Sequence, residues 1–339
     1  MITKDTKKTL IIAEVGVNHN GDIKIAKKLV KEASLAGADV VKFQSFNSEL
    51  LVTEDAPKAK YQMSSQKDND SSLQMLKKLE LSRNDHHILI DQCQKYNVEF
   101  FSTAFDIENL DFLLKLNMKR IKIPSGEITN LPLLEHVSSF DMPVILSSGM
   151  ADIDEIKDAV GILLSNKLSK DNLSLLHCTS QYPAQFKDIN LRAIPELKRV
   201  FNINIGYSDH TLGIEAAISA VSLGASIIEK HITLDNSLSG PDHKASITPT
   251  EFSMMSKAIR NIEKGLGDGI KSPSKEEMQM RDIARKSLIA LREINQGETL
   301  TLDNIIIKRP GNGISPMRLK EIIGTKAIKP FKKDDLIEI

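Results

Sequence analysis

Short apolar runs alternate with amphipathic segments along most of the chain. Runs of about seven or eight residues that are rich in Val, Ile and Phe predict β-strands, and apolar residues spaced three or four apart between them predict helices. One helix is expected around residues 24–36, one from Ser82 to Tyr96, and the last one from Pro249. Eight strands are expected, over residues 9–16, 39–45, 98–105, 120–127, 143–150, 173–180, 203–210 and 226–233.

Eight successive strand–helix units are typical of a (β/α)8 TIM barrel rather than of an open doubly wound sheet. An open sheet would carry a Gly-rich fingerprint after its first strand, and the segment VGVNHNG lacks the GxGxxG spacing. In a barrel, the functional side chains stand at the carboxyl ends of the strands. The long irregular stretch 47–72 would lie at the same rim, and loops of that length are usually functional or disordered.

The end of the chain has a different pattern. A polar segment, residues 268–282, reads as a linker between the barrel, residues 1–267, and a β-rich tail, residues 283–339. Within the tail, the phrases EINQGETLTLDNI and KPFKKDDLIEI are loosely alike, which indicates a small pseudo-repeated β unit. At about 57 residues, this module is near the lower limit for independent folding.

The charges of the chain cancel, since 45 Lys and Arg residues stand against 45 Asp and Glu residues. No overall field therefore draws the chain to nucleic acid or to an anionic membrane, and any anion site has to be local. No apolar run approaches the roughly 18 residues of a membrane span, and the start lacks a signal-peptide pattern. Two cysteines are too few for a disulfide framework. We expect a cytoplasmic protein with no nucleic-acid or membrane partner.

Two histidines end neighbouring predicted strands, His210 in GYSDHT and His231 in IEKHIT. Adjacent parallel strands lie about 4.8 Å apart, so both imidazoles could share one metal ion. A divalent ion such as Mn²⁺ accepts imidazole together with water and substrate oxygens, and two protein ligands would leave positions open for catalysis. The alternative is that both histidines are packing residues. His177 is expected to pack within its strand, and His243, on the loop after the eighth strand, could join the site. Four further histidines are expected at the surface or in turns: His19, His86, His87 and His136.

Lysines lie within two of the predicted strands, Lys42 in VVKFQ and Lys122 in RIKIP. A lysine at such a position is costly to bury without an anionic partner. One interpretation is a structural salt bridge to Glu14 or Glu127. The other is a cradle for a small dianion, in which both lysines and several hydroxyl groups converge on a phosphate and a carboxylate. The serines and threonines at these strand ends could equally be helix N-caps.

These residues lie in motifs that resemble, in order along the chain, those of the sialic acid synthase family: IIAEVGVNHNG, VVKFQS, FFSTAF, KIPSGE, LSSGM, LLHCTSQYP, GYSDHT, EKHIT, GPDHKAS and KRPGNGIS. The likeness extends over essentially the whole chain, and the tail is similar to the family's antifreeze-like (SAF) domain. The resemblance implies a TIM barrel enzyme that condenses phosphoenolpyruvate with an N-acylated mannosamine-type sugar and releases phosphate. The product would be a nine-carbon 2-keto acid, N-acetylneuraminate or the related N,N′-diacetyllegionaminate.

The resemblance also implies roles for individual residues. His210 and His231 would bind Mn²⁺, or Mg²⁺ or Co²⁺, and Glu14 and Glu127 would be the catalytic carboxylates. Phosphoenolpyruvate would be held by Lys42, Thr103, Lys122, Ser125, Ser180 and Ser208. Ser180 replaces an Asn that neuraminate-forming members often carry. The sugar would contact Gln44, Phe105, Tyr182, Asp242 and Arg309. The arginine would arrive from the SAF domain across a domain-swapped homodimer.

Two other functions are compatible with such a barrel. A condensing enzyme that uses a phosphorylated aldose would need a second phosphate site, and the extra β module would then lack a purpose. A non-catalytic carbohydrate-binding or ice-binding protein would not need lysines and histidines at the catalytic rim. The sequence does not settle which sugar is used, and we expect side chains in 47–72 and 182–187 to decide it.

Overall fold

The computed structural model describes residues 8–62 and 70–339. The chain divides into two compact units, residues 1–268 and 269–339. The first unit contains eight parallel strands: β1 (Leu10–Gly16), β2 (Val40–Ser45), β3 (Glu99–Ala104), β4 (Ile121–Ile123), β5 (Val144–Ser147), β6 (Leu173–Cys178), β7 (Asn204–Asp209) and β8 (Ile227–His231). Their order in the sheet is β3-β2-β1-β8-β7-β6-β5-β4. Because β3 and β4 also contact each other, the sheet closes on itself. The predicted TIM barrel is confirmed.

Helices lie between the strands and cover the outside of the barrel. They are α1 (Ile23–Leu35), α2 (Ser48–Leu51), α3 (Ser72–Lys77), α4 (Arg83–Lys95), α5 (Ile107–Lys115), α6 (Leu131–Ser138), α7 (Ile153–Leu163), α8 (Ala193–Phe201), α9 (Glu215–Ser222) and α10 (Pro249–Gly265). Side-chain caps fix where several of them begin. The helix expected from Ser82 to Tyr96 is α4, with Ser82 as its N-cap in a capping box with Asp85 and Tyr96 as its C-cap. Thr248 caps α10 in the same way.

Two local features set the spacing of the strands. At the amino ends, Arg120 makes two hydrogen bonds of 2.7 and 2.9 Å to Glu99, which joins the start of β4 to the start of β3. In β7, a Cβ at Gly206 would lie 2.5 Å from Leu176 and 2.7 Å from Ile227. Only glycine therefore lets β7 approach β6 and β8 this closely. The carboxyl ends of β7 and β8 carry the two histidines that the sequence singled out.

The second unit contains α11 (Lys275–Ala284), β9 (Ser287–Ala290), β10 (Ile305–Lys308) and α12 (Leu319–Ile322), with β9 and β10 antiparallel. In the segment 268–282, interpreted from the sequence as a linker, residues 275–282 are helical. Helix α11 begins at a capping box in which Ser274 and Glu277 satisfy each other's backbone amides. The polar composition of this segment reflects an exposed helix.

The two similar phrases of the tail adopt matching turns. Ile294 and Phe331 exchange backbone hydrogen bonds, each with a donor–acceptor distance of 2.9 Å. Three residues further on, Gly297 and Asp334 both have left-handed backbone angles, with φ of 80° and 73°. The pseudo-repeat is therefore a pair of equivalent turns that pack around one small core.

Within residues 8–62 and 70–339, no helix is long and apolar enough to cross a lipid bilayer.

Candidate active site

The strand register brings polar side chains together at the carboxyl end of the barrel. Glu14 in β1 is level with Lys42 in β2 on one side and with His231 in β8 on the other. A cavity of about 530 Å³ opens at this end. Residues that the sequence proposed for the site line it: Glu14, Lys42, Gln44, Thr103, Phe105, Lys122, Ser125, Ser180, Tyr182, Ser208, His210, His231 and Asp242. The structure therefore collects at one site residues from seven of the eight strands or from the segments that follow them.

The floor of the cavity is a network of buried charges. The ammonium group of Lys42 lies 2.7 Å from Glu14 Oε2 and 3.5 Å from Glu229 Oε2, and it donates to Thr103 Oγ1 at 3.0 Å. The ammonium group of Lys122 lies 4.0 Å from Glu229 Oε1. Among the described residues, the two lysines therefore form their ion pairs with Glu14 and Glu229, and Glu127 takes no part in them.

The charges in this network shift one another's pKa values. Burial alone would raise the pKa of Glu229, but Lys122 and Lys42 outweigh it and hold that pKa at about 2. Burial raises the pKa of Glu14 to about 7, against the opposing pull of Lys42. Burial would lower the pKa of Lys42, but Glu14 and Glu229 raise it. For Lys122, burial prevails and lowers the pKa. Glu229 is thus the carboxylate that stays charged beneath both lysines.

Sequence reasoning did not assign Glu229 to the site. Its signal was the period of two along β8, which places residues 229 and 231 on the same face, as it does for Lys42 with Gln44. Besides the two lysines, Glu229 accepts a hydrogen bond of 3.0 Å from Ser208 Oγ. The side chain therefore ties the rims of β2, β4, β7 and β8 together.

The two imidazoles stand above this floor. The ring centroids of His210 and His231 are 5.5 Å apart. His210 Nδ1 donates to the carbonyl of Thr179 at 2.7 Å, which fixes the tautomer and leaves Nε2, 3.5 Å from Ser208 Oγ, with the lone pair that a metal ligand needs. His231 Nδ1 is buried without a hydrogen-bond partner and lies 3.7 Å from Asp242 Oδ2. Burial lowers the pKa of both imidazoles, so both are neutral, as metal ligands must be.

These two histidines could hold one divalent ion. Within residues 8–62 and 70–339, no group of three or more His, Cys, Asp or Glu side chains is arranged to bind a metal. An ion at the imidazoles would therefore take two protein nitrogens and complete its shell with water or substrate oxygens. That donor set suits Mn²⁺ and related ions and describes an open rather than a structural site.

Aromatic rings cover one side of the imidazoles. The ring of Tyr182 lies 4.1 Å from that of His210, and Tyr61 stacks on Tyr182 with 4.8 Å between centroids. Tyr61 belongs to the stretch 47–72, of which residues 63–69 lie outside the described ranges. Several of its described residues, among them Leu51, Tyr61 and Ser72, line the cavity at the rim as the sequence indicated, although Tyr61 itself was not singled out. Asp242 lines the cavity nearby, and burial raises its pKa to about 6.

Glu127 is not among the residues that line the cavity. The strand expected over 120–127 ends at Ile123, and residues 125–127 form a single 3₁₀ turn. Strand alternation no longer applies there, so Glu127 is turned to accept a hydrogen bond of 2.6 Å from Asn130. Arg309 lies in the second unit directly after β10, where it is exposed.

The remaining histidines include one correction. His19 occupies the expected turn, where it is buried, but His86, expected at the surface or in a turn, is buried on α4. His86 contacts Ser45 Oγ at 2.6 Å and the carbonyl of Ser82 at 2.7 Å, so both ring nitrogens are engaged inside the protein. His243 is also buried and bonded, to Thr233 Oγ1 at 2.7 Å, and it does not line the cavity.

Comparison with known proteins gives a consistent result over the whole chain. The NeuB family model matches residues 29–271, and the SAF domain model matches residues 285–338. The chain is 50% identical over 331 residues to N,N′-diacetyllegionaminic acid synthase of Campylobacter jejuni, covering 98% of this chain and 99% of the relative. It is 46% identical to the enzyme of the same name from Legionella pneumophila, covering 93% and 89%.

A solved structure supports the same relationship. The N-acetylneuraminic acid synthetase of Leptospira borgpetersenii, solved with citrate, superimposes with a TM-score of 0.72 at 37% sequence identity, covering 81% of this chain and 90% of that one. The family model spans more than half of the chain, and the similarity to the Campylobacter relative extends over nearly its full length. The resemblance read from the motifs is therefore confirmed, and the chain belongs to the NeuB family of sialic acid synthases.

Proposed function

We propose that this enzyme condenses phosphoenolpyruvate with an N-acylated amino sugar, releases phosphate, and forms N,N′-diacetyllegionaminic acid. The observation that carries the proposal is the pair of buried lysines, Lys42 and Lys122, joined through Glu229 beneath two neutral imidazoles. The product is named from the two relatives, which are 50% and 46% identical to this chain. The alternative product is N-acetylneuraminate, because an enzyme that forms it would bind phosphoenolpyruvate with the same two lysines.

Phosphoenolpyruvate fits the floor of the cavity. Its phosphate and carboxylate need cations and hydroxyl donors, and Lys42 and Lys122 supply both charges at fixed positions. The hydroxyl groups that line the same part of the cavity are those of Thr103, Ser125, Ser147, Ser180 and Ser208. Since these groups are held by their neighbours before the substrate arrives, they need little reorganisation as charge develops.

The reaction joins C3 of phosphoenolpyruvate to C1 of the open-chain sugar. The aldehyde oxygen takes a proton and becomes a hydroxyl, while positive charge develops at C2. Water adds at C2 of the former phosphoenolpyruvate and loses a proton. The bond between C2 and the phosphate oxygen then breaks, which releases inorganic phosphate and leaves a ketone at C2. Glu14, paired with Lys42 and bonded to Gln44 Nε2 at 3.1 Å, is our candidate to orient this water. Glu229 keeps the lysines in place.

The expected cofactor is Mn²⁺, with Mg²⁺ or Co²⁺ as alternatives, held by His210 and His231. Such an ion, when bound, polarises a carbonyl oxygen as a Lewis acid. The support lies in the residues: His210 is oriented by Thr179, and His231 Nδ1 is buried without a hydrogen-bond partner. Both imidazoles are neutral at physiological pH, because burial lowers their pKa.

We further propose a homodimer in which Arg309 of each chain serves the sugar site of its partner. The support is the match of residues 285–338 to the SAF domain and the exposed position of this arginine. A cytoplasmic location is also part of the proposal, supported by the free thiols of Cys93 and Cys178.

An enzyme that uses a phosphorylated aldose would need a second cationic patch. In the part of the chain that the structure describes, the basic side chains that line the cavity are Lys42, Lys122, His210 and His231. All four belong to the floor or to the histidine pair, which leaves none for a second phosphate. We therefore expect sugar 6-phosphates to be poor substrates.

A phosphate-release assay tests the proposal. We expect release when phosphoenolpyruvate and Mn²⁺ are combined with a 2,4-diacetamido-2,4,6-trideoxymannose, and loss of activity after treatment with a chelator. N-acetylmannosamine is the comparison sugar for the neuraminate alternative. Absence of phosphate release with any N-acylated mannosamine-type sugar would overturn the proposed function, and full activity after removal of all divalent ions would overturn the cofactor assignment.

A further inference from the structure

The cavity has a second face that the charged floor does not explain. Beyond the strand ends, its lining is apolar and comes from the residues that follow β1 and β2 and from the segment around α3. We call this face the apolar wall and define it by Val17, Phe46, Leu51, Met75, Leu76 and Leu79.

The apolar wall is a packed surface rather than a set of isolated side chains. Val17, Phe46 and Leu79 form a buried cluster, and Leu51, Met75 and Leu76 pack against it. The ring of Phe46 also meets that of Phe105 edge to face, with 5.9 Å between centroids. Because its members support one another, the shape of the wall exists before any ligand binds.

The position of the wall indicates which substrate it contacts. The lysines of the floor, which take the phosphate and carboxylate of phosphoenolpyruvate, stand on β2 and β4. Val17 directly follows β1, which pairs with β8 and so with the strand of His231. Phe46 and Leu51 follow β2 beyond Lys42, so the wall continues from the ends of the strands that carry the floor. A sugar whose aldehyde lies at the histidines would meet the wall with its far end.

The chemistry of the wall selects among sugars. In the described ranges, the lining residues from 46 to 79 include no charged side chain. The polar residues among them are Tyr61, Gln62 and Ser72, and none of these belongs to the apolar wall. Gln62 Oε1 accepts a hydrogen bond of 2.9 Å from the amide of Ala59, and the ring of Tyr61 is stacked on Tyr182. A hydroxyl group pressed against this surface would lose its hydrogen bonds to water, whereas a methyl group would gain contact area.

We propose that the apolar wall binds the C6 end of the sugar and makes the enzyme selective for 6-deoxy sugars over their 6-hydroxy counterparts. This inference rests on the proposed synthase function and assigns its specificity to named side chains. An unpaired buried hydroxyl costs enough to lower binding by about 10- to 100-fold. We expect a discrimination of about that size in kcat/KM.

The experiment compares two sugars that differ by one oxygen atom, N-acetylmannosamine and its 6-deoxy analogue. Phosphate release gives kcat/KM for each, and calorimetric titration with the phosphoenolpyruvate-loaded protein gives binding without turnover. The test variant is Met75→Gln, which preserves side-chain length and places an amide in the wall. The control is Met254→Gln on α10, where the methionine is 56% exposed and outside the cavity.

We expect the wild type and Met254→Gln to prefer the 6-deoxy sugar by about tenfold or more. In Met75→Gln that preference should fall to within about threefold, because the amide can pair with the hydroxyl. Equal use of both sugars by the wild type, or an unchanged preference in Met75→Gln, would overturn the assignment of the wall. Preferential binding of the 6-deoxy sugar without phosphate release would instead overturn the proposed function and leave the wall assignment standing.

Discussion

Strands β7 and β8 carry two buried ionic clusters on opposite faces. Toward the cavity, Glu229 meets Lys42, Lys122 and Ser208. Toward the outer layer, the neighbouring residue in β8, Lys230, lies 2.8 Å from Asp209 Oδ2 of β7, and both side chains are fully buried. The two clusters differ by one position in each strand and therefore share the same backbone.

The outer cluster is complete. Lys230 also donates to the carbonyl of Thr211 at 2.5 Å. Asp209 Oδ1 accepts from the amide and the hydroxyl of Thr211, at 2.9 and 2.8 Å. In the inner cluster, Glu229 Oε2 has no hydrogen-bond partner and lies 3.5 Å from Lys42. The outer pair thus fixes the ends of the strands, whereas the inner cluster presents the ammonium groups of Lys42 and Lys122 to the cavity, where they can bind an anionic ligand.

Removing a cation from the inner cluster should affect catalysis most. For Lys122→Met we expect kcat/KM for phosphoenolpyruvate to fall by about 100- to 1,000-fold, because the reaction loses a fixed charged donor to the anionic substrate. Phosphate release at varied phosphoenolpyruvate measures this effect. The control is Lys27→Met, an exposed position on α1. Retention of wild-type kcat/KM in the Lys122 variant would remove the basis for the anion cradle.

Removing the cation of the outer cluster should affect stability instead. Lys230→Met leaves Asp209 charged and buried, so we expect the free energy of unfolding to drop by about 3–5 kcal/mol. Chemical denaturation measures it, and kcat/KM of the folded protein should change by less than about tenfold.

The double variant Asp209→Leu/Lys230→Met tests the same cluster without leaving a lone charge. It should recover most of the lost stability, because an apolar pair can replace a buried ion pair. If the double variant kept its stability but lost as much kcat/KM as Lys122→Met, this result would contradict the division into an inner cluster for catalysis and an outer cluster for stability.

The sequence was sufficient to predict the barrel and most of the polar side chains that line the cavity. Eight apolar runs and the rule that function lies at strand carboxyl ends were enough to bring Lys42, Lys122, His210 and His231 together. Glu229 was within reach of the same reasoning, since it shares a strand face with His231. It was given no role, because Glu14 and Glu127 were the carboxylates considered as partners of the lysines, and the strand pattern does not distinguish one carboxylate at the strand ends from another.

Other features depended on tertiary structure. Glu127 is not part of the cavity lining because β4 already ends at Ile123. The ends of strands are the positions that sequence-based prediction locates least accurately. The burial of His86 depends on its contact with Ser45 of a strand that is distant in sequence. The position of Tyr61 depends on stacking against Tyr182, which lies more than a hundred residues further along the chain.

The smallest expected effect is that of replacing Arg309, which belongs to the second unit, residues 269–339. For Arg309→Ala we expect the KM for the sugar to rise by about tenfold while the KM for phosphoenolpyruvate stays within about twofold, since a charged hydrogen bond contributes about 1.5–3 kcal/mol. Equal losses for both substrates would count against a role at the sugar. Arg318→Ala, in the same unit and paired with Glu321, is the matched control.

Mixing two inactive or weakened variants then shows which chain supplies this arginine. In a heterodimer of Lys122→Met and Arg309→Ala subunits, one barrel keeps Lys122 and faces a partner that keeps Arg309. If the arginine serves the partner's site, co-refolded mixtures regain a low sugar KM at a fraction of the active sites. If it serves its own chain, the intact barrel lacks its arginine in every mixture, and the KM stays at the value of Arg309→Ala. The comparison of the two variants, alone and mixed, therefore separates a shared site from a self-contained one by a single kinetic constant.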